Sequence, residues 1–253
     1  MRTFTYEFRG EILFSDPISQ QYTTLRILPY EDGTQLMTGG SIAVTPHHLV
    51  SYAKDGFGNR LMSAGFPQEH EKFGYCERAE VVIDHSKREE EVPHPMYRHP
   101  GLLTRPDEAL YEFAMSLGSN DPEVLARAVT EHFVYTPGAT GVATTAAESF
   151  AGGVGVCQDY AQVLATVCRI RGLHARYCMG ITEGTGVTHA WTQIHTKGKW
   201  FGIDPTRECL ADESYLLFAV GRDAMDCPVE RGSFIGHALQ TQTVSAVMTD
   251  IGG

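Results

Sequence analysis

The sequence is short of positive charge. Twenty Lys and Arg stand against 31 Asp and Glu in 253 residues, a formal net charge of −11. A nucleic-acid binder needs a basic footprint to neutralise phosphates, and a binder of anionic membranes needs one as well, so both classes are excluded as expectations. Long apolar runs are missing too. The stretch Tyr215 to Val220 is typical of the longest, far from the ~18 residues of a membrane span. The start, Met1-Arg2-Thr3-Phe4-Thr5-Tyr6-Glu7, has no apolar segment before Glu7 and Arg9, so no export signal is expected there. There is no CxxC, no HExxH and no EF-hand pattern, so neither a metal nor another cofactor is expected. The six cysteines are scattered, as suits a reducing cytoplasm in which most thiols are buried small hydrophobes.

The first ~85 residues read as short strands. Phe4, Tyr6 and Phe8 alternate with polar residues, and further strands are expected over 23–28, 36–44, 47–53 and 72–83. Turn signals divide them: Asp32-Gly33, Gly39-Gly40, Pro46 and Asp55-Gly56-Phe57-Gly58-Asn59. This pattern predicts a β-sandwich over 1–85. Residues 86–105, with the charge run Lys87 to Glu91 and three prolines, read as a linker whose histidines, His94 and His99, face solvent. The remainder, 106–253, forms a second unit. Helices are expected from Asp107 to Leu117 and after Asp121-Pro122-Glu123, with a polar loop from Thr136 to Thr145.

The chemistry concentrates in this second unit. A glycine-rich segment, Ala151-Gly152-Gly153-Val154-Gly155, runs into Val156-Cys157-Gln158-Asp159-Tyr160. From Tyr160 to Ile170 apolar residues recur at three and four, and Gly172 closes the pattern, so Cys157 stands at a helix N-terminus. Unpaired N–H groups and the helix dipole favour a thiolate there, and an imidazolium nearby adds to the effect. The same amides, of Cys157 or Gln158, suit an oxyanion.

Two strands follow, 189–195 and 199–204, joined at Thr196-Lys197-Gly198. A turn centred on Lys197-Gly198 pairs residues whose numbers sum to 395. His189 and Asp204 are then diagonal neighbours on one face, within side-chain reach; a turn one residue earlier sets them directly opposite, and an even sum moves Asp204 to the other face. Cysteine, histidine and aspartate thus come in an order that permits nucleophilic catalysis: His189 takes and returns the proton while Asp204 orients it. Taken singly, each has a plainer reading: a buried thiol, a strand histidine, a turn-initiating Asp-Pro.

These blocks resemble the transglutaminase-like superfamily of papain-related cysteine enzymes, in particular its bacterial branch of transglutaminase-like cysteine proteases. The resemblance rests on Gly155-Val156-Cys157-Gln158-Asp159-Tyr160, Cys168-Arg169, Ala175-Arg176-Tyr177, His189-Ala190-Trp191 and Asp204-Pro205-Thr206. Upstream, Leu25-Arg26-Ile27-Leu28-Pro29, Gln35 and Asp55 to Asn59 look like the N-terminal β-domain of that branch. It implies an α+β fold in which the cysteine-bearing helix packs on an antiparallel sheet. It also implies Cys157 as nucleophile, His189 as acid and base, and Asp204 as orienting carboxylate. The chemistry would be acyl transfer at a peptide or protein amide. The sequence departs from the family where Gln193 replaces a frequent Glu and where Cys178-Met179 replaces Val-Ser. Secondary site candidates are Gln158 (oxyanion or loop cap), Trp191 (cleft wall or core), Tyr160 and Thr206. Three readings stay open: hydrolysis, transfer to an amine, and a binding module that keeps the cleft.

Overall fold

The computed structural model describes residues 1–46 and 49–252. The first expected strand runs much further than three alternating aromatics. Strand β1 (Arg2–Leu25) is 24 residues long, and Phe4, Tyr6, Phe8, Ile12 and Phe14 are all buried along one side. Period-two alternation holds that face inward. Register shifts between Leu13 and Ile18 and between Ser19 and Tyr22, with Gln20 at φ 49°, turn the strand. Its two halves therefore meet different neighbours.

The other strands of this region are β2 (Gln35–Thr45), β3 (Leu49–Lys54), β4 (Arg60–Phe66) and β5 (His70–Ile83). The expected strand over 47–53 starts on His47 and His48, which lie outside the described residues. The chain then crosses 86–105, where His94 and His99 are exposed as expected. This stretch is nonetheless packed against the protein: Tyr97, Leu103 and Thr104 are buried, and the Leu103 N–H donates to Asp223 Oδ2 at 2.8 Å.

The second half contains α1 (Glu108–Ser116), α2 (Pro122–His132), β6 (Val134–Tyr135), α3 (Ala146–Gly152), β7 (Val154–Gly155) and α4 (Cys157–Ile170). Asp107 and Asp121 cap the first two helices. Helix α3 is one that periodicity missed; its signal is the capping box Thr145/Glu148. The glycine-rich segment is accordingly shorter than expected: Ala151 and Gly152 end α3, and Gly153 closes it at φ 62°. Next come β8 (His174–Thr182), β9 (Gly184–Gly186), β10 (His189–Thr196), β11 (Lys199–Asp204), β12 (Cys209–Leu210), β13 (Tyr215–Gly221), β14 (Glu230–Ile235) and β15 (Gln240–Asp250).

Strands β12-β11-β10-β8-β13 form one antiparallel sheet, with α4 laid across β8 and β10. Val163, Leu164 and Val167 of the helix share a core with Ala175, Ile194 and Ile203 of the sheet. Strands β14 and β15 do not join that sheet although they follow it in sequence. They pair antiparallel with β1, Phe4 opposite Asp250 and Thr23 opposite Gly232. The result is a single curled eight-stranded sheet that contains both ends of the described chain. Sheet membership thus does not follow the division of the chain at 85 and 106.

The two sheets are tied by side chains the sequence had marked. Gln35 donates to Leu217 O and accepts from Leu217 N; Asn59 does the same with Val220. Each amide thereby satisfies a backbone pair on β13, the end strand of the five-stranded order.

Candidate functional site

Cys157 is the first residue of α4. The cap, Val156, carries no side-chain acceptor, so the N–H groups of Cys157 and Gln158 receive no capping bond. Asp159 reaches back instead: its Oδ2 accepts the Val156 N–H at 2.8 Å and the Thr140 hydroxyl at 2.6 Å. One buried carboxylate thus fixes the helix start and pins the 136–145 loop over it. Gly155 is required here, since a Cβ would stand 2.6 Å from the Asp159 Cβ.

The β10–β11 hairpin has the register sequence parity gives. Thr192 pairs with Ile203 and Gln193 with Gly202, around Lys197 and Gly198 at φ 51° and 79°. His189 and Asp204 fall on the same face, and His189 Nε2 lies 2.6 Å from Asp204 Oδ2. The carboxylate only accepts, so Nε2 carries the proton toward Asp204 and Nδ1 is left without a carboxylate partner. Burial works against a charged His189, but Asp204 and Cys157 outweigh it and raise the imidazole to about 9.

Asp204 is fully buried. Burial alone would raise its carboxyl, yet His189, Tyr215 and the backbone hold it below the ordinary value. The Tyr215 hydroxyl donates to Oδ2 at 2.8 Å, and the N–H groups of Thr206 and Arg207 donate to Oδ1 at 2.9 and 3.2 Å. Arg207 also lies 3.9 Å from Oδ2.

The structure therefore brings Cys157, His189 and Asp204 together. The secondary candidates sort differently. Gln158 Nε2 reaches the carbonyls of Gly141 and Val142 at 3.5 and 3.4 Å, so its side chain ties the loop to the helix. Tyr160 is a core residue, packed on Phe133. Trp191 is 1% exposed, stacked near His189 at 6.3 Å and edge-on to Tyr215 at 5.3 Å. It backs the histidine from within the core instead of walling an open cleft. Thr206 contributes its backbone N–H; its hydroxyl is buried without a partner.

Sequence reasoning missed Tyr215 and Tyr135. Tyr215 arrives through the β8–β13 pairing, which no local pattern announces. Tyr135 is half exposed beside Cys157, and its phenol is raised by partial burial and then by that thiol. Among the described residues no three His, Cys, Asp or Glu side chains converge as metal ligands, and no helix is long and apolar enough to cross a membrane.

The fold and this cluster define a papain- and transglutaminase-like arrangement, and comparison with known proteins agrees. Residues 118–205 match the transglutaminase-like superfamily, and residues 5–82 match the bacterial transglutaminase-like N-terminal region. The chain belongs to the transglutaminase-like superfamily. It is 33% identical over 124 residues to an uncharacterized protein of Mycobacterium tuberculosis, and 34% identical over 113 residues to one of Mycobacterium leprae. These alignments cover 43% and 41% of this chain, and 40% of each of those relatives' lengths. The fold matches the crystal structure of "a Putative Cysteine Protease from Cytophaga hutchinsonii" with a TM-score of 0.80 at 20% identity, over 100% of this chain and 91% of that one.

Proposed function

We propose that the chain catalyses thiol-dependent acyl transfer at a peptide or protein amide, with water as the usual acceptor. The observation that carries this reading is the His189–Asp204 pair at 2.6 Å, together with Cys157 on the first residue of a helix and acting on the same imidazole. In the first step the Cys157 sulfur forms a bond to the amide carbon. The carbonyl oxygen takes the negative charge, stabilised by the N–H groups of Cys157 and Gln158. The His189 imidazolium gives its proton to the leaving nitrogen as the C–N bond breaks, leaving a thioester. In the second step His189 takes a proton from water, the hydroxide oxygen bonds to the thioester carbon, and the C–S bond breaks. Asp204 keeps Nε2 protonated throughout and supports the charged ring.

Substrate is a peptide or protein amide, and the acidic surface gives no role to nucleic acid or to an anionic membrane. The cysteine-protease description of the Cytophaga hutchinsonii protein supports hydrolysis, while the superfamily supports transfer to an amine. One experiment separates them. Glutamine-containing protein is incubated with a fluorescent primary amine, and both released peptide or ammonia and incorporated amine are measured for wild type and Cys157→Ala. Release without incorporation, absent in the variant, is the expected result. Cys157-dependent incorporation would replace hydrolysis by transfer, and turnover that survives the variant would remove the thiol mechanism altogether.

A further inference from the structure

On the same face of the five-stranded sheet as His189, beyond Trp191 and Tyr215, lies a cavity of about 170 Å³. Arg176 of β8 lines it and is 4% exposed. Its partners are all neutral. Nε donates to Gln193 Oε1 at 2.7 Å, and the guanidinium lies 5.9 Å from the Tyr97 ring centre. The guanidinium lies over the Trp200 ring at 4.3 Å. Among the described residues no carboxylate stands within ion-pair distance of Arg176. A buried cation without a counter-ion is costly, and a cavity beside it leaves room for the missing charge.

We propose that this cavity is a binding site for a small organic carboxylate, with Arg176 as its anchor. The guanidinium offers the fork geometry that suits a carboxylate. Trp191, Trp200, Ala211 and Leu217 supply apolar wall for the rest of the molecule. The volume is close to that which holds a six-carbon ring (~150 Å³). The rim limits the charge of the ligand. Glu89 and Glu90 are exposed there; Glu31 is paired with Lys54, Asp32 accepts from Thr34, and Glu91 accepts from Trp200 Nε1. These five carboxylates among the lining residues disfavour phosphates and other multiply charged anions more than a singly charged one. The second guanidinium on the wall, Arg88, is engaged with His85 and lies over Phe201, so Arg176 is the anchor.

Both tryptophans of the chain line this cavity, so their fluorescence reports its occupancy. The full chain is titrated with butyrate at constant ionic strength and with neutral butyramide as control, in wild type, Arg176→Met and Gln193→Glu. The last variant places a carboxylate where Arg176 already donates, and it keeps the volume of the side chain. Saturable quenching or enhancement by butyrate at millimolar concentration is expected, with none by butyramide. Affinity should fall about tenfold or more in both variants, as expected for loss of a charged hydrogen-bonded pair. Absence of a saturable change in wild type, or equal affinity in a folded Gln193→Glu protein, would overturn the proposal. The readout needs no turnover, so failure of the thiol mechanism and failure of this site are separate results.

Discussion

Each of the two larger sheets buries a carboxylate, and the two acids end in opposite states. Asp204 in the five-stranded sheet is 0% exposed, and Glu77 in the curled sheet is 1% exposed. Burial penalises charge equally in kind at both places. Asp204 accepts from His189, Tyr215 and two backbone N–H groups, and stays ionised below the ordinary carboxylate range. Glu77 faces the Tyr6 hydroxyl, but neither group makes a bond of good geometry, and burial pushes the acid up to about 8. Donors, not depth, decide which buried acid keeps its charge. One sheet has assembled them around Asp204 and its partner His189; the other holds its acid neutral across most of the physiological range.

The largest effect expected from disturbing this contrast is at Asp204. Asp204→Asn keeps the shape but frees His189 to take the wrong tautomer. Amide turnover should drop by roughly 10²- to 10⁴-fold, measured as initial rate at neutral pH. The alkaline limb of the pH–rate profile, expected near the value of about 9 for His189, should also move to lower pH. An unchanged limb would mean that Asp204 does not act through the imidazole.

In the curled sheet the same test reads stability. An acid whose folded value is raised stabilises the protein fully below its unfolded value (~4.5) and loses that contribution as pH rises through about 8. Glu77→Gln should remove most of this decline, worth on the order of a few kcal/mol at ~1.36 kcal/mol per unit. Denaturant unfolding at several pH values between these limits checks it. The depressed Asp204 has the opposite sign: its contribution is present above the unfolded value and is lost as pH falls through the folded one.

Two smaller changes sharpen the comparison. Tyr215→Phe removes one donor from Asp204 and leaves the other three. Turnover should fall about tenfold, in line with ~1.5–3 kcal/mol for a bond to a charged group, with the alkaline limb shifted less than in Asp204→Asn. Gln158→Ala should change turnover least, by about threefold or less, because its amide bonds loop carbonyls at long range while the backbone N–H remains.

The parts of the site legible in the sequence were those set by local rules. Gly172 and the apolar repeat located α4 and so placed Cys157 at its start. Period two puts His189 and Asp204 on one face for any odd register sum, and the two-residue turn at Lys197-Gly198 supplies one. Long-range pairing was not legible. Nothing near Tyr215 says that β13 will lie beside β8, and nothing near 230–250 says that the chain returns to β1. Trp191 and Tyr160 illustrate the converse: they adjoin site residues in sequence, yet alternation and helical spacing turn both into the core. Gln35 and Asn59 stood out in the sequence before their role was visible, and that role is to complete β13.

The central claim is that His189 activates Cys157. Its most direct measurement is the alkylation rate of Cys157 against pH, read by peptide mass spectrometry in wild type and His189→Ala, with exposed Cys209 as the control in the same molecule. Cys157 should react faster than Cys209 at and below neutral pH, and the advantage should disappear in the variant while Cys209 is unaffected. Equal rates for the two thiols, or a Cys157 profile that His189→Ala leaves unchanged, would contradict the account.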